Sequence, residues 1–114
     1  MKVIVKSPWE HLGHYEEISD ELDSLQRKVG GYVRAVRFRD DAVILCDDDG
    51  IPKGAEKNFL VEFLPGKRQW IRGMVVICGV NLEEDGEKFT DVPINLGTWE
   101  IYLAMWGNGE EAFE

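Results

Sequence analysis

Arginines are the residues of this chain whose type and spacing best suit chemistry with a ligand. Arg34, Arg37 and Arg39 fall within six residues of a chain that is otherwise acidic. Guanidinium groups bind phosphate or carboxylate groups through paired hydrogen bonds. Arg72 lies on a later apolar run that a sheet would bring nearby, and Tyr32 adds an aromatic face. The favoured alternative is that these arginines pair with the many acids, or protect a sheet edge from aggregation.

Two clusters have residue types that bind metals, but their spacing is unsuitable. Three aspartates at residues 47–49 precede Gly50. An EF-hand needs alternating ligands, so contiguous aspartates before a glycine favour a turn. His11 and His14 lie three residues apart, whereas a structural zinc site takes four ligands and no further histidine or cysteine is near in sequence. We therefore predict loop histidines and no metal site.

Nucleophilic chemistry has no recognisable constellation in this sequence. None of the three serines lies in a G-x-S-x-G motif. Cys46 and Cys78 each end an apolar run, which predicts two buried free thiols. Gly30-Gly31 follows a predicted helix, whereas a phosphate loop precedes one. The sequence thus predicts a binding protein rather than an enzyme, and no cofactor.

A capped amphipathic helix is predicted over residues 19–29. Ser19 is expected to be the N-cap, and Gly30-Gly31 ends the helix because glycine readily adopts a positive φ. Acids fill the first turn and bases the last turn, as the helix dipole favours. One apolar stripe is formed by Ile18, Leu22, Leu25 and Val29.

The remaining pattern indicates a single α+β domain over residues 1–114, with a frayed acidic tail at 108–114. Its sheet is expected to be mainly antiparallel with about five strands, and its helices to span about 19–29 and 97–106. The clearest strand candidates are residues 2–6, 32–38, 42–46 and 70–80, while residues 59–64 fit a strand or a helical turn. We expect the first strand and the long strand at 70–80 to pair in parallel.

Charge and composition narrow the class of partner. The 114 residues carry 22 acids and 13 bases, a net charge of −9. This balance argues against direct binding to nucleic acid or to anionic membranes, and it suits a basic protein partner. No apolar run reaches the length that spans a bilayer, and Lys6 and Pro8 interrupt the N-terminal apolar stretch. We expect a cytoplasmic monomer or homodimer.

Aromatic residues exceed what a small core needs. They include Trp9, Trp70, Trp99, Trp106 and Phe113. Most should be buried, and we expect Trp106, at the end of the second helix, to mark a partner surface, because tryptophan is enriched at interface hot spots.

Several short motifs together resemble a known family. They are SLQRKVGGYV at 24–33, ILCDDDG at 44–50, a P-K-G…N loop at 52–58 and IRGMVVICG at 71–79. The chain resembles a family of small proteins with a domain of unknown function, found in bacterial viruses, plasmids and gut bacteria. The resemblance implies an accessory protein of mobile-element type and no established activity. In its pattern Asn58 is a fixed polar residue without an obvious backbone role, which makes it a binding candidate.

Two functions follow as predictions. The first is a non-catalytic binding protein that modulates a host or phage protein. The second is a small-ligand pocket, including one for a nucleotide, and its residues would be Tyr32, Arg34, Arg37, Asn58 and Arg72.

Overall fold

The computed structural model describes residues 1–83 and 86–108, so the predicted tail beyond Asn108 lies outside the described residues. The elements are β1 (Lys2–Lys6), β2 (His14–Glu17), α1 (Leu22–Val29), β3 (Val33–Arg39), β4 (Ala42–Asp47), β5 (Lys57–Leu64), β6 (Lys67–Arg72), β7 (Val75–Glu83), β8 (Gly86–Thr90) and α2 (Leu96–Met105). Neither helix is long and apolar enough to cross a membrane.

The main sheet has six strands, and every pairing in it is antiparallel. Its order is β2-β1-β7-β4-β3, and β8 also pairs with β7. Gly79 pairs with Ala42 of β4 on one side and with Thr90 of β8 on the other. Strands β1 and β8 therefore share the edge of β7 opposite β4. The predicted α+β class with a mainly antiparallel sheet is confirmed.

The expected parallel pairing of the first and the long strand is wrong. Strand β1 pairs with β7 antiparallel, with Ile4 opposite Ile77. Both strands are buried apolar runs, and such a run can pair with either a parallel or an antiparallel neighbour. The direction is set by the path of the chain between them, which apolar patterning does not reveal.

The predicted long strand at 70–80 is two strands that belong to different sheets. Gly73 divides β6 from β7 with a φ of +75°, and its N–H donates to the Glu56 carbonyl at 2.8 Å. Strand β6 pairs with β5 in a separate two-stranded sheet, so residues 59–64 form a strand and not a helical turn. The described residues thus contain a main sheet of six strands, close to the predicted five, and a separate sheet of two strands.

Both faces of the main sheet are covered by apolar layers. Successive strand residues point to opposite faces, so each central strand contributes to both layers. One face, the α1 face, packs against the helix α1; its residues include Val3, Val5, Val43, Leu45, Val76 and Cys78, which meet Leu25 and Val29. The other, the α2 face, packs against α2 and the β5-β6 hairpin; it includes Ile4, Ile44, Ile77, Phe59, Val61, Ile71, Trp99 and Leu103.

Helix α1 begins later than predicted and lacks the predicted cap. The N-cap is Glu21, which makes no side-chain capping bond, while the Ser19 hydroxyl accepts a hydrogen bond from the Glu21 N–H at 3.2 Å. The assignment of Ser19 as N-cap is therefore wrong, because serine forms a local turn there instead. The predicted glycine stop is confirmed: Gly30 has a φ of +92°, and its N–H donates to the Gln26 carbonyl at 2.8 Å.

Helix α2 is confirmed within one residue at each end. Asn95 caps it by accepting a hydrogen bond from the Thr98 N–H at 2.8 Å. Trp106 is only 5% exposed, so it lies in the core and not on the predicted partner surface. The reason is its spacing: seven residues after Trp99, it returns to the same helix face. Its ring stacks on Phe59 with centroids 6.3 Å apart.

Candidate functional site

A small cavity lies where the loop after β1 meets the β5-β6 hairpin and the C-terminal end of α2. Its volume is about 60 Å³. Its wall consists of Lys6, Pro8, Glu10, His11, Asn58, Phe59, Trp70, Leu103 and Asn108. We call it the Lys6 cavity, because the ammonium of Lys6 is its buried charged group.

Lys6 is a buried lysine at the end of β1. Alternation along the strand places it on the same face as Ile4, and the residue is 3% exposed. Its Nζ donates to Asn58 Oδ1 at 2.5 Å and to the Ser7 carbonyl at 3.4 Å, and it lies 5.6 Å from the centre of the Phe59 ring. Burial lowers the pKa of Lys6 to about 8, although the Glu10 carboxylate acts in the opposite direction.

Asn58, a predicted ligand residue, lines this cavity, and its amide is hydrogen-bonded within the chain. Its Nδ2 donates to the Lys6 carbonyl at 2.9 Å and to the Gly73 carbonyl at 2.7 Å. Its Oδ1 accepts from the Lys6 ammonium. Asn58 therefore joins the end of β1 to the corner between β6 and β7, and it orients the Lys6 side chain.

The loop after β1 presents Trp9 to solvent from a well-fixed backbone. The Glu10 N–H donates to the Ser7 carbonyl at 3.2 Å. The Glu10 carboxylate in turn accepts hydrogen bonds from the Ser7 N–H at 3.0 Å and from the Ser7 hydroxyl at 2.7 Å. Trp9, between them, is 79% exposed. The loop thus holds a large apolar side chain outside the core by means of local hydrogen bonds.

His14 connects this loop to the rest of the surface through two carboxylates. Its Nδ1 lies 2.7 Å from Glu10 Oε2, and its Nε2 lies 2.6 Å from Glu16 Oε2. The Lys28 ammonium of α1 contacts the other oxygen of Glu16 at 2.6 Å. Hydrogen bonds to Glu10 and then to Glu16 raise the pKa of His14. We call this row of alternating charges the His14 bridge.

Arg34 and Arg72 line the same cleft, as the pocket hypothesis requires of them. The cleft has a volume of only about 30 Å³ and shares its wall with Asp47, Asp48 and Gln69. Arg34 donates to Gln69 Oε1 at 3.5 Å, and Arg72 donates to the Ala55 carbonyl at 3.0 Å. Pockets that bury a drug-sized ligand measure roughly 300–1,000 Å³, so this cleft suits a much smaller group.

The other predicted ligand residues lie elsewhere. Arg34 and Arg37 pair with Cys46 and Val43, which face opposite sides of the sheet, so the two arginines also lie on opposite sides. Tyr32 borders a shallow depression of about 290 Å³ together with Gln26, Gly31, Asp49 and Lys53. The structure thus brings Arg34 and Arg72 to one cleft, while Asn58, which adjoins Arg72 on the paired strands β5 and β6, lines the Lys6 cavity instead. Neither cavity has Tyr32 or Arg37 in its wall.

The aspartate run has an intramolecular role at the end of α1. Asp47 Oδ1 accepts from the Asp49 N–H at 2.9 Å, and Asp47 Oδ2 pairs with Lys53 Nζ at 2.8 Å. Lys53 also donates to the Gly30 carbonyl at 3.1 Å, which ties the helix end to the turn. The hydrogen bond from Lys53 lowers the pKa of Asp47. A Cβ at Gly31 would come within 2.6 Å of Asp47 Oδ1, so the Asp47 and Lys53 side chains would have to shift if this residue were not glycine.

Sequence reasoning missed Lys6, Trp9 and the His14 bridge as site residues. One signal was available for Lys6, because a lysine two residues after Ile4 in a fully apolar strand must share its buried face. The contact of Lys6 with Asn58 joins residues 52 positions apart. Local spacing carries no information about such a contact.

The family described as "Domain of unknown function (DUF3846)" matches residues 1–106. The chain belongs to this family. No curated protein and no solved structure matches it. Within the Lys6 cavity, every wall residue except Asn108 lies in the DUF3846 domain. The predicted resemblance to a domain of unknown function is confirmed at that level.

Proposed function

We propose that this DUF3846 protein is a non-catalytic binding protein that modulates a host or phage protein, as an accessory protein of mobile-element type. The observation that carries the proposal is the exposure of Trp9, at 79%. Of the four tryptophans, two are buried and Trp70 is half-buried in the wall of the Lys6 cavity. A tryptophan kept outside the core is a typical anchor for a partner, since this residue dominates interface hot spots.

The backbone around Trp9 supports this proposal because it lowers the cost of binding. Ordering a flexible loop on association costs free energy, and a loop fixed beforehand avoids part of that cost. Here the hydrogen bonds between Ser7 and Glu10 fix the residues on both sides of the tryptophan. The backbone that carries the indole is thus fixed before a partner arrives.

Charge near Trp9 indicates the chemistry of the partner. The His14 bridge joins the loop after β1, which carries Trp9, to the segment 16–23. This segment contains five acids and no base. Glu17, Asp20, Glu21 and Asp23 are exposed. A partner surface with an apolar pocket for the indole and a basic rim would complement this region. The proposal includes a cytoplasmic location, based on two free cysteines.

The test compares two single substitutions at exposed apolar residues. Trp9→Ala should remove capture of a specific binding protein from host lysate, because it deletes the anchor. Leu82→Ala is the matched control, because Leu82 is 76% exposed at the far end of β7. Binding should weaken by about tenfold or more in the first variant only, and it should weaken as salt rises. Equal capture by both variants, or capture indifferent to salt, would contradict the proposal.

A second candidate function is the binding of a small phosphorylated ligand whose phosphate group alone enters the cleft, and the convergence of Arg34 and Arg72 on that cleft favours it. The native protein would then be stabilised by the ligand, because binding only the folded state raises the melting temperature. A panel of nucleotides and cyclic dinucleotides, with Arg34→Gln as the control, measures this shift. A melting temperature that no member of the panel changes would exclude this function.

A further inference from the structure

Among the residues that the structure describes, the wall of the Lys6 cavity contains five polar or charged residues and four apolar ones. The ammonium of Lys6 and the amide of Asn58 form the polar end, whereas Phe59, Trp70 and Leu103 line the walls. Ligand sites commonly combine apolar walls with a few fixed polar groups that orient the ligand. A group that suits this cavity carries a negative charge at one end and an apolar body at the other.

The Lys6 ammonium is already positioned for such a group. A lysine has three N–H donors, and the bonds to Asn58 Oδ1 and to the Ser7 carbonyl use two of them. Within residues 1–83 and 86–108, no carboxylate forms an ion pair with Lys6. A buried ammonium without a direct counter-ion is unfavourable, so a bound anion would relieve the cost of its burial.

Glu10, the acid in the cavity wall, is engaged elsewhere. Its Oε1 accepts two hydrogen bonds from Ser7, and its Oε2 lies 2.7 Å from His14 Nδ1. One carboxylate oxygen of Glu10 is therefore bound by Ser7 in the loop after β1, and the other is bound by His14. The neighbouring His14, whose pKa is raised by hydrogen bonds to its two carboxylates, partly compensates the charge of Glu10 when its imidazole is protonated.

The size and charge of the cavity select among anions. One lysine matches the single charge of a carboxylate better than the double charge of a phosphate, and the wall contains no arginine to supply a planar fork. The volume of about 60 Å³ corresponds to a group of only a few heavy atoms. A carboxylate on a short aliphatic chain meets both conditions.

We propose that the Lys6 cavity binds a carboxylate carried on a short apolar chain. The carboxylate accepts a hydrogen bond from Lys6 Nζ, and the chain contacts Phe59, Trp70 and Leu103. Such a group belongs either to a free short-chain acid or to the C-terminus of a peptide. This inference goes beyond the partner proposed above, since it concerns a separate pocket and requires only the isolated protein.

The test is an NMR titration of the isolated protein with two probes of the same shape. Butyrate should produce saturable shifts of the Trp70 indole and Asn58 amide signals. Butyramide, which is neutral, should bind at least about tenfold more weakly, because a hydrogen bond to a charged group is worth roughly 1.5–3 kcal/mol. Comparable saturable shifts with both probes, or none with either, would overturn the proposal.

Two variants assign the effect to the lysine. Lys6→Met keeps the length of the side chain and removes its charge, so it should weaken butyrate binding by about tenfold or more. Lys67→Met is the matched control at an exposed lysine and should bind butyrate like the wild type. Undiminished binding to a folded Lys6→Met protein would also overturn the proposal. The comparison of the two probes on the wild type stands even if that variant does not fold.

A third pair of probes distinguishes the two sources of the carboxylate. A short peptide ending in leucine is compared with the same peptide carrying a C-terminal amide. Binding of the free-acid peptide alone points to a chain terminus, whereas binding of butyrate without either peptide points to a small acid. Both results support a carboxylate site, and both are independent of whether Trp9→Ala loses its protein partner.

Discussion

At the scale of single residues, Lys6 makes the stability of the fold depend on pH in a recognisable way. Burial lowers its pKa from 10.5 to about 8 in the folded protein. Between pH 8 and 10.5 the unfolded chain therefore holds more protons at this residue than the folded chain does. The contribution of Lys6 to the free energy of unfolding therefore rises with pH across this range, since the folded state no longer buries a charge that the unfolded state retains.

The corresponding prediction compares the wild type with Lys6→Met by urea unfolding from pH 7 to pH 10.5. The wild type should gain about 3 kcal/mol relative to the variant over this range, as expected for a pKa lowered by about 2.5. The difference in unfolding free energy between the wild type and Lys6→Met at pH 7 also includes the loss of the hydrogen bond to Asn58. Parallel plots of unfolding free energy against pH for the wild type and Lys6→Met would show that Lys6 is not desolvated. Lys67→Met is the control, and its difference from the wild type should not change with pH.

Asn58 shows how one polar side chain can fix the geometry of a cavity wall through hydrogen bonds within the chain. Its amide holds the carbonyls of Lys6 and Gly73 and accepts from the Lys6 ammonium. Its position therefore determines where the Lys6 nitrogen lies. The sequence indicated that Asn58 lacked an obvious backbone role, and the structure supplies one at the corner where β6 turns into β7.

At the scale of elements, the His14 bridge links three of them: the loop after β1, strand β2 and helix α1. Both ring nitrogens of His14 face carboxylates, so the bridge is complete only when the imidazole is a cation. The pKa of Glu16 is lowered, with the hydrogen bond from Lys28 as its main cause, so this acid stays ionised when His14 is protonated. The bridge is therefore strongest in mildly acidic solution.

His14→Gln tests the bridge. A raised folded-state pKa stabilises the protein fully below the ordinary histidine value, and this contribution is lost as pH rises through the raised pKa. The difference in unfolding free energy between wild type and variant should thus be larger at about pH 6 than at about pH 8.5. In a Glu16→Gln background the difference should shrink, because the two residues are coupled. A difference that does not change with pH would count against a charged bridge.

Strand β3 shows a different use of charge by an element. It is an edge strand of the main sheet, and its arginines lie on both faces. Arg39 pairs with Asp41 across the turn that follows, with Nε and Oδ1 2.5 Å apart. Charged side chains on an edge strand hinder pairing with another chain. This placement supports the reading of Arg37 and Arg39 as protection for the sheet edge.

At the scale of the whole molecule, the sequence predicted the class of fold because that class depends on local patterns. The approximate bounds of α2, the glycine stop after α1 and the apolar runs of the strands were all readable from neighbouring residues. The direction of β1 relative to β7 and the division at Gly73 depend on distant contacts, which local patterns do not contain. The predicted order of helices and strands was therefore more accurate than the predicted pairing.

The site was less predictable than the fold for the same physical reason. Arg34 and Arg37 looked close in sequence, but an odd separation within a strand places side chains on opposite faces. Trp106 was expected at the surface, yet its spacing from Trp99 sends it into the core. The Lys6 cavity combines residues from three separate stretches of chain, and only the folded structure brings them together.

Photo-crosslinking from position 9 tests our proposal that Trp9 anchors a protein partner. A benzophenone amino acid replaces Trp9 in one protein and Leu82 in another, and both are irradiated in host lysate. We predict a discrete crosslinked product from position 9 that disappears at high salt, with no equivalent from position 82. The same product from both positions, or no discrete product from position 9, would show that Trp9 is not the anchor of a protein partner.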